Sequence, residues 1–347
     1  MQSVGLSVQT SFAELIERCL DASFDQDFEE RGQFVKVTSK GREYWYFQTY
    51  QDGGRTRRYV GPVAEPEITS RVERFKDIKA DFSQRRDFVR ALSQVLPRPD
   101  ALTGDIVEAM WKAGFFRLRG VLIGTVAFQA YAGLLGVKLP GTSIMTQDAD
   151  FAQFKAISEA VDDSLPPMLE VLRGVDATFS AVPNLDPIAT TAFVNQAKYR
   201  VEFLTANRGR DEHQGKPADM PALGGARATP LRFLDFLIKN PVWSAILHKG
   251  GIPVRVPDPA RYAIHKLIIS TRRHEISYAK ADKDRIQASL ILRALAERRA
   301  FDLGEALSIA ETTGPKWKAA IAEATAGLDD DARAALEASR AAYASSN

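Results

Sequence analysis

The chain is poor in several residue types on which whole classes of protein depend. It has one cysteine, Cys19, in 347 residues, so neither an intramolecular disulfide nor a cysteine-built zinc site can form, and a reducing compartment, the cytoplasm, is the expected location. Histidines number four; His265 and His274 lack ligand-like spacing and read as structural, which disfavours a phosphodiesterase that needs a histidine-rich metal site. No run of about 18 apolar residues occurs, so no membrane-crossing helix is expected. The N-terminal MQSVGLSVQTSFAELIERCLDASF has neither a basic start nor a long apolar stretch, and export by the usual route is not expected. An excess of one charge is missing too: Lys+Arg 46 against Asp+Glu 44 leaves +2, so total charge argues neither for nor against a nucleic-acid partner. No internal repeat is visible.

What the chain does have is 45% hydrophobic residues, enough for the cores of two or three domains. Residues 1–97 read as an N-terminal module: a helix at about 11–31, a small antiparallel sheet in FVKVTSKGREYWYFQTYQDGGRTRRYVGP broken at SKG and QDGG, and a long charged amphipathic helix at about 66–94 ended by LPRPD. Residues 98–260 alternate helix and strand. The expected elements are a helix at about 103–113, a strand in FRLRGVLIG, a helix from Thr125 to Leu135, a helix in the region of about 154–173, and strands near 176–181, 189–194 and 199–206. A mobile Gly/Pro-rich loop is expected over 207–228, and residues 261–347 read as helical. The fold class is α+β, a mixed sheet with flanking helices.

Three short stretches could carry chemistry. In GVLIGTVAF an apolar strand ends at Ile123, Gly124 turns, and Thr125 opens a helix whose free amides could meet an anion such as phosphate, although any strand-to-helix turn can use Gly-Thr. In TQDADF, Asp148 and Asp150 lie two residues apart, so in a strand they project to one side, where two carboxylates repel unless a cation lies between them. Hard oxygen ligands suit Mg²⁺ or Mn²⁺; the plain alternative is a solvated Asp-x-Asp turn. In YRVEFLT, Glu202 interrupts an apolar strand as a third metal ligand, as an edge-strand acid, or as a partner for Arg200.

The order strand, Gly-Thr, helix, Thr-x-Asp-x-Asp, then a strand with an acid before Leu-Thr resembles the polymerase-beta-type nucleotidyltransferase superfamily. More narrowly it is similar to bacterial nucleotidyltransferase-like proteins related to abortive-infection toxins, over roughly 115–206 and more faintly 252–292. The resemblance implies a nucleotidyltransferase fold in which Gly124 and Thr125 contact an NTP, ATP among the candidates, and Asp148, Asp150 and Glu202 hold Mg²⁺ or Mn²⁺ and carry catalysis. Thr125 replaces the usual Ser, and Glu202 the usual Asp. In RYAIHKLIISTRRHEISYAKADKDRIQASLIL it implies a nucleotide-facing Lys266 and a Lys-Asp pair, Lys283 with Asp284. Lys280 and Asp282 are rivals for that register, and Arg272, Arg273 and Lys280 could also meet phosphate; lysines on amphipathic helices more often face water.

The N-terminal sheet interleaves Tyr44 and Tyr46 with Arg55, Arg57 and Arg58. Rings could stack on bases while arginines take phosphates; the other reading is a sheet packed on the long helix. The function implied is transfer of a nucleotidyl group to a hydroxyl on RNA, tRNA-like, or on protein, in a toxin or defence enzyme with a possible antitoxin partner. The alternative is a non-catalytic, antitoxin-like binding protein that keeps the fold.

Overall fold

A computed structural model describes residues 2–27, 32–51, 54–73, 82–141, 146–183, 190–207, 216–273 and 277–346. His274, the middle of the long helix expected at 66–94 and part of the loop expected over 207–228 lie outside the described residues.

Helix α1 (Leu6–Asp27) carries Phe12, Leu15 and Cys19 on one buried stripe, the spacing of an amphipathic helix. That stripe forms a cluster with Ala132, Ala245 and Leu247. The Cys19 thiol is pushed up to about 11 by burial, against a smaller opposing effect of Arg85, which makes it a packing residue. Strands β1 (Gly32–Ser39), β2 (Arg42–Gln51) and β3 (Gly54–Pro62) form the expected antiparallel sheet in the order β1-β2-β3. Both of its faces are covered. Tyr46 and Tyr59 meet edge to face at 5.6 Å and belong to the main core, while Phe47, Val60 and Ile68 form a second cluster under helix α2 (Pro66–Glu73). Helix α3 (Phe82–Leu92) follows.

After Asp100 caps helix α4 (Ala101–Lys112) through the amide of Thr103, the strand expected in FRLRGVLIG is much shorter than its apolar run. Strand β4 is only Val121–Ile123. Phe115, Phe116 and Leu118, which precede it, are all buried. Positive φ at Gly114 (93°) and Arg119 (65°) wraps them inward as a turn instead. Helix α5 (Gly124–Leu135) comes next, then β5 (Asp148–Ala152). The helix expected near 154–173 is two short pieces, α6 (Lys155–Ser158) and α7 (Met168–Arg173). Pro166 and Pro167 lie between them and cannot continue a helix interior.

Strands β6 (Ser180–Ala181), β7 (Ala192–Val194), β8 (Arg200–Ala206) and β9 (Thr229–Leu231) complete a mixed sheet of order β4-β5-β8-β7-β6, with β9 pairing β8. On β5 and β8 the residues Ala149, Phe151, Val201 and Phe203 are buried. The rings of Phe151 and Phe203 stack at 6.0 Å, with Phe115 edge-on to both. Each buried ring contributes roughly 1.5–3 kcal/mol, so this face sets the strand register and fixes the direction of its opposite face. The loop expected from 207 onward is packed where it is described. Ala222, Leu223, Ala226 and Ala228 are buried, and Ala222 bonds through its carbonyl to the amide of Leu165 (3.0 Å) and through its amide to Ser158 Oγ (2.9 Å).

Helix α8 (Leu234–Leu237) leads to a hairpin of β10 (Val242–Ile246) and β11 (Ile252–Val256). The chain ends in helices α9 (Pro259–Arg273), α10 (Tyr278–Arg298), α11 (Ala300–Thr312), α12 (Pro315–Ala326) and α13 (Asp330–Ala344), the expected helical region. None of the helices is long and apolar enough to cross a membrane among the described residues.

Candidate active site

With Ala149 and Phe151 committed to the core, the two-residue period of β5 turns Asp148 and Asp150 to the other face, where both are half-buried. Strand β8 runs parallel beside it with Asp148 opposite Arg200 and Asp150 opposite Glu202. Residues paired across neighbouring strands project to the same face, so backbone register alone aligns Asp148, Asp150 and Glu202. On the other edge Ile123, the last residue of β4, pairs with Asp150.

That pairing explains the glycine after it. Gly124 has φ of 68°, and a Cβ built on it would lie 2.3 Å from Asp150 Oδ2. Only glycine both adopts that conformation at no cost and leaves the carboxylate its space. Helix α5 starts at Gly124 with no side-chain cap on its first amides, and those amides with the helix dipole favour an anion. The junction is held from behind. The Tyr262 hydroxyl lies between the Gly124 carbonyl (3.0 Å) and Gln287 Oε1 (2.9 Å), and Gln287 Nε2 donates to Thr125 Oγ1 at 3.5 Å.

Cations stand beside the acids. Arg200 Nε donates to Glu202 Oε1, as one sequence reading allowed, and Thr146 Oγ1 donates to Asp148 Oδ1. Burial lowers the Lys283 ammonium from its ordinary value, the Asp148 charge opposes that shift, and Lys266 adds to it; α10 therefore sets Lys283 within electrostatic range of Asp148. Lys266 and Asp284 turn to each other: both are buried and joined at 2.5 Å. They clamp α9 to α10, which leaves Lys283 as the member of that trio disposed toward the acids. Asp282 is paired with Arg285, Lys280 is exposed, and the Arg272 guanidinium lies over the Phe233 ring at 5.3 Å.

The aromatic sheet differs from its nucleic-acid reading in one residue. Tyr46 is 5% exposed and its ring packs on Tyr59, so it presents no face for stacking a base. Tyr44 is half-buried and packs on Tyr59 at 6.0 Å, Arg57 donates to Gln48 (3.2 Å), Arg55 is exposed and Arg58 half-buried.

A second acidic group went unnoticed in the sequence. Among the described residues, Asp105 and Glu108 of α4 and His248 of the β10–β11 turn bring their ligand atoms within 4.8 Å of one another. The Lys249 ammonium lies 2.7 Å from Asp105 and 2.6 Å from Glu108, and His248 Nε2 lies 2.9 Å from Asp105. An ammonium thus stands where a cation would bind. Tyr262 and Gln287 were missed as well; the only sequence signal was a lone glutamine in an apolar helical run.

A family model described as nucleotidyltransferase matches residues 101–311, more than half of the chain. The chain belongs to this nucleotidyltransferase family. The match runs from the first residue of α4 almost to the end of α11 and takes in the mixed sheet, the Gly124 turn and the α9–α10 pair. It carries the family, not the polymerase-beta subgroup or the toxin relationship. No curated protein and no solved structure matches the chain.

Proposed function

We propose that this nucleotidyltransferase transfers an NMP from an NTP to a hydroxyl acceptor at the face formed by Gly124, Asp148, Asp150 and Glu202. The observation that carries the reading is the approach of Asp150 to the Cα of Gly124, which joins an acidic pair to an uncapped helix start. The donor set suits a divalent metal: Asp148, Asp150 and Glu202 offer hard carboxylate oxygens on one half-exposed face, and Mg²⁺ or Mn²⁺ would be held by the two aspartates with Glu202 beside them. Bound there, the cation supplies charge neutralisation at the transferring phosphoryl group and its leaving group. The chain's own residues position the substrate. The first amides of α5 receive phosphate oxygens, Lys283 adds a positive charge within electrostatic range of Asp148, and Gln287 with Tyr262 fixes the turn that presents those amides. Glu202, when released from Arg200, is placed to accept the acceptor hydroxyl's proton.

Incubation of the protein with labelled NTPs, Mg²⁺ and total RNA tests this reading, with Asp148→Ala/Asp150→Ala as the control. Metal-dependent label on RNA or protein, lost in the double variant, is expected. The toxin setting is tested by induced expression: growth arrest by the wild type and not by the double variant. One observation favours the non-catalytic alternative, namely that Arg200 is already paired with Glu202 and Lys283 lies within electrostatic range of Asp148. Absence of transfer to any acceptor, the protein itself included, would decide for it.

A further inference from the structure

Away from the residues of the acidic face lies a cavity lined by cations. It measures about 620 Å³ and is formed by α3, residues 98–101 and the turn between β10 and β11. Four cations line it, Arg86, Arg90, Arg98 and Lys249, together with His248 and a single carboxylate, Asp100. Arg86 and Arg90 are one helical turn apart and share a face of α3. Arg90 has only a loose exposed pairing with Asp87 at 3.8 Å, and Lys249 is engaged by Asp105 and Glu108. The three arginines are exposed and so retain most of their donor capacity. The wall is firm: buried Arg85, beside Arg86 on α3, donates to the Gly250 carbonyl at 3.1 Å and ties the helix to the turn, and Arg98 sits between two prolines that restrict the backbone.

A hydrogen-bond chain through buried side chains leads from the rim of the cavity toward β8. Asp100, on its rim, accepts from Thr103 Oγ1 at 2.6 Å, and Thr103 Oγ1 lies 2.8 Å from the Tyr199 hydroxyl. Tyr199 immediately precedes β8, the strand that carries Glu202. Burial raises the Tyr199 phenol, the Thr103 hydrogen bond opposes that rise, and the charges of Asp100, Asp148 and Asp150 add to it, which sets this side chain in the electrostatic field of both groups of acids.

We infer that the cavity is a phosphate-backbone site that holds a nucleic-acid strand, the acceptor for the transfer at Asp148 and Asp150. Guanidinium groups recognise phosphate oxygens in pairs, and a pocket of this volume takes a nucleotide-sized group and not a lone ion. The inference rests on the nucleotidyl-transfer reading for its second half, but RNA binding can be measured without NTP or metal.

The test is fluorescence anisotropy of the full chain with a labelled 20-nucleotide RNA, the DNA of the same sequence, and total tRNA. The variant Arg86→Glu/Arg90→Glu/Arg98→Glu changes only exposed residues, and circular dichroism checks its fold. It should bind at least about tenfold more weakly and lose about 2–3 from the log–log salt slope, as expected when three phosphate contacts go. The triple Arg→Lys variant keeps the charge and should hold affinity within about threefold. The RNA and DNA arms identify which polymer is taken. Failure of the wild type to bind either, or equal binding by the reversed variant, would overturn the site. Labelling of a protein acceptor in ribonuclease-treated extract that the reversed variant loses would overturn it in favour of an acidic protein surface. RNA binding without any metal-dependent transfer would strike the nucleotidyl reading alone and leave the site standing.

Discussion

Two acidic groups lie in the part of the chain that matches the family, and they differ in what surrounds them. On α4, Asp105 and Glu108 are drawn together by Lys249, with Lys112 3.0 Å from Glu108 and His248 against Asp105. On the sheet face, Asp148 and Asp150 are placed by backbone register and the space over Asp150 is kept by a glycine. The first group is tighter and is complete as an ion-pair network. The second is looser, offers its oxygens beside uncapped amides, and is the one to which a cation would add something. Proximity of carboxylates is thus a poor guide to a metal site when an ammonium already neutralises them.

The comparison breaks most sharply on the aspartates. Asp150→Asn should lower metal-dependent transfer by at least about a hundredfold, because charge stabilisation by a bound metal is worth several kcal/mol and each 1.36 kcal/mol is tenfold. Asp105→Asn should change the same rate by less than about threefold. Equal losses in the two variants would erase the distinction. Gly124→Ala comes next. A methyl group there meets Asp150 Oδ2 and forces φ of 68° on a residue with a Cβ, so a stability loss of about 1–3 kcal/mol in urea unfolding is expected, with NTP binding weakened about tenfold. Glu202→Gln should have a smaller effect, roughly tenfold on turnover with little on NTP affinity, since Arg200 already occupies one of its oxygens; a pH–rate profile that keeps its acidic limb in this variant would remove Glu202 as the base.

How much of this was legible in the sequence depended on whether the signal was local. The alternation of DADF and VEFL was enough to turn Asp148, Asp150 and Glu202 to one side of their strands, because strand period is a property of the backbone. The GT turn, the sheet before residue 62 and the terminal helices were legible for the same reason. Nothing in sequence tells that Asp150 pairs with Ile123 on one edge and Glu202 on the other, since register between distant strands is set by the Phe115, Phe151 and Phe203 packing. The same limit hid the pairing of Lys266 with Asp284, two residues expected each on its own to face a nucleotide. It also hid the group of Asp105, Glu108 and His248, whose histidine lies 143 residues from Asp105 in the chain. FRLRG misled for another reason: the backbone turns there through positive φ at Gly114 and Arg119, and an arginine gives no sequence sign of that conformation.

The smallest expected effect sharpens the comparison from the other side. Burial pushes the Asp105 and Glu108 carboxyls up, but hydrogen bonds from Lys249, with His248 for Asp105 and Lys112 for Glu108, hold both below their ordinary values, while the same contacts raise Lys249. Carboxylates with depressed values add stability that is present above their unfolded range, near about pH 4, and is lost as pH falls through the lowered folded values. Lys249→Ala should therefore cost at most about 1 kcal/mol at neutral pH, since the ammonium is half-exposed, and its difference from the wild type should close in acid. Removal of the ammonium also leaves two carboxylates and an imidazole whose ligand atoms lie within 4.8 Å. Zn²⁺ should then raise the melting temperature of Lys249→Ala and leave that of the wild type where it is, because a ligand stabilises only the state it binds. If Zn²⁺ stabilises the wild type as well, Lys249 does not exclude a cation, and the α4 group returns as a rival to the sheet face.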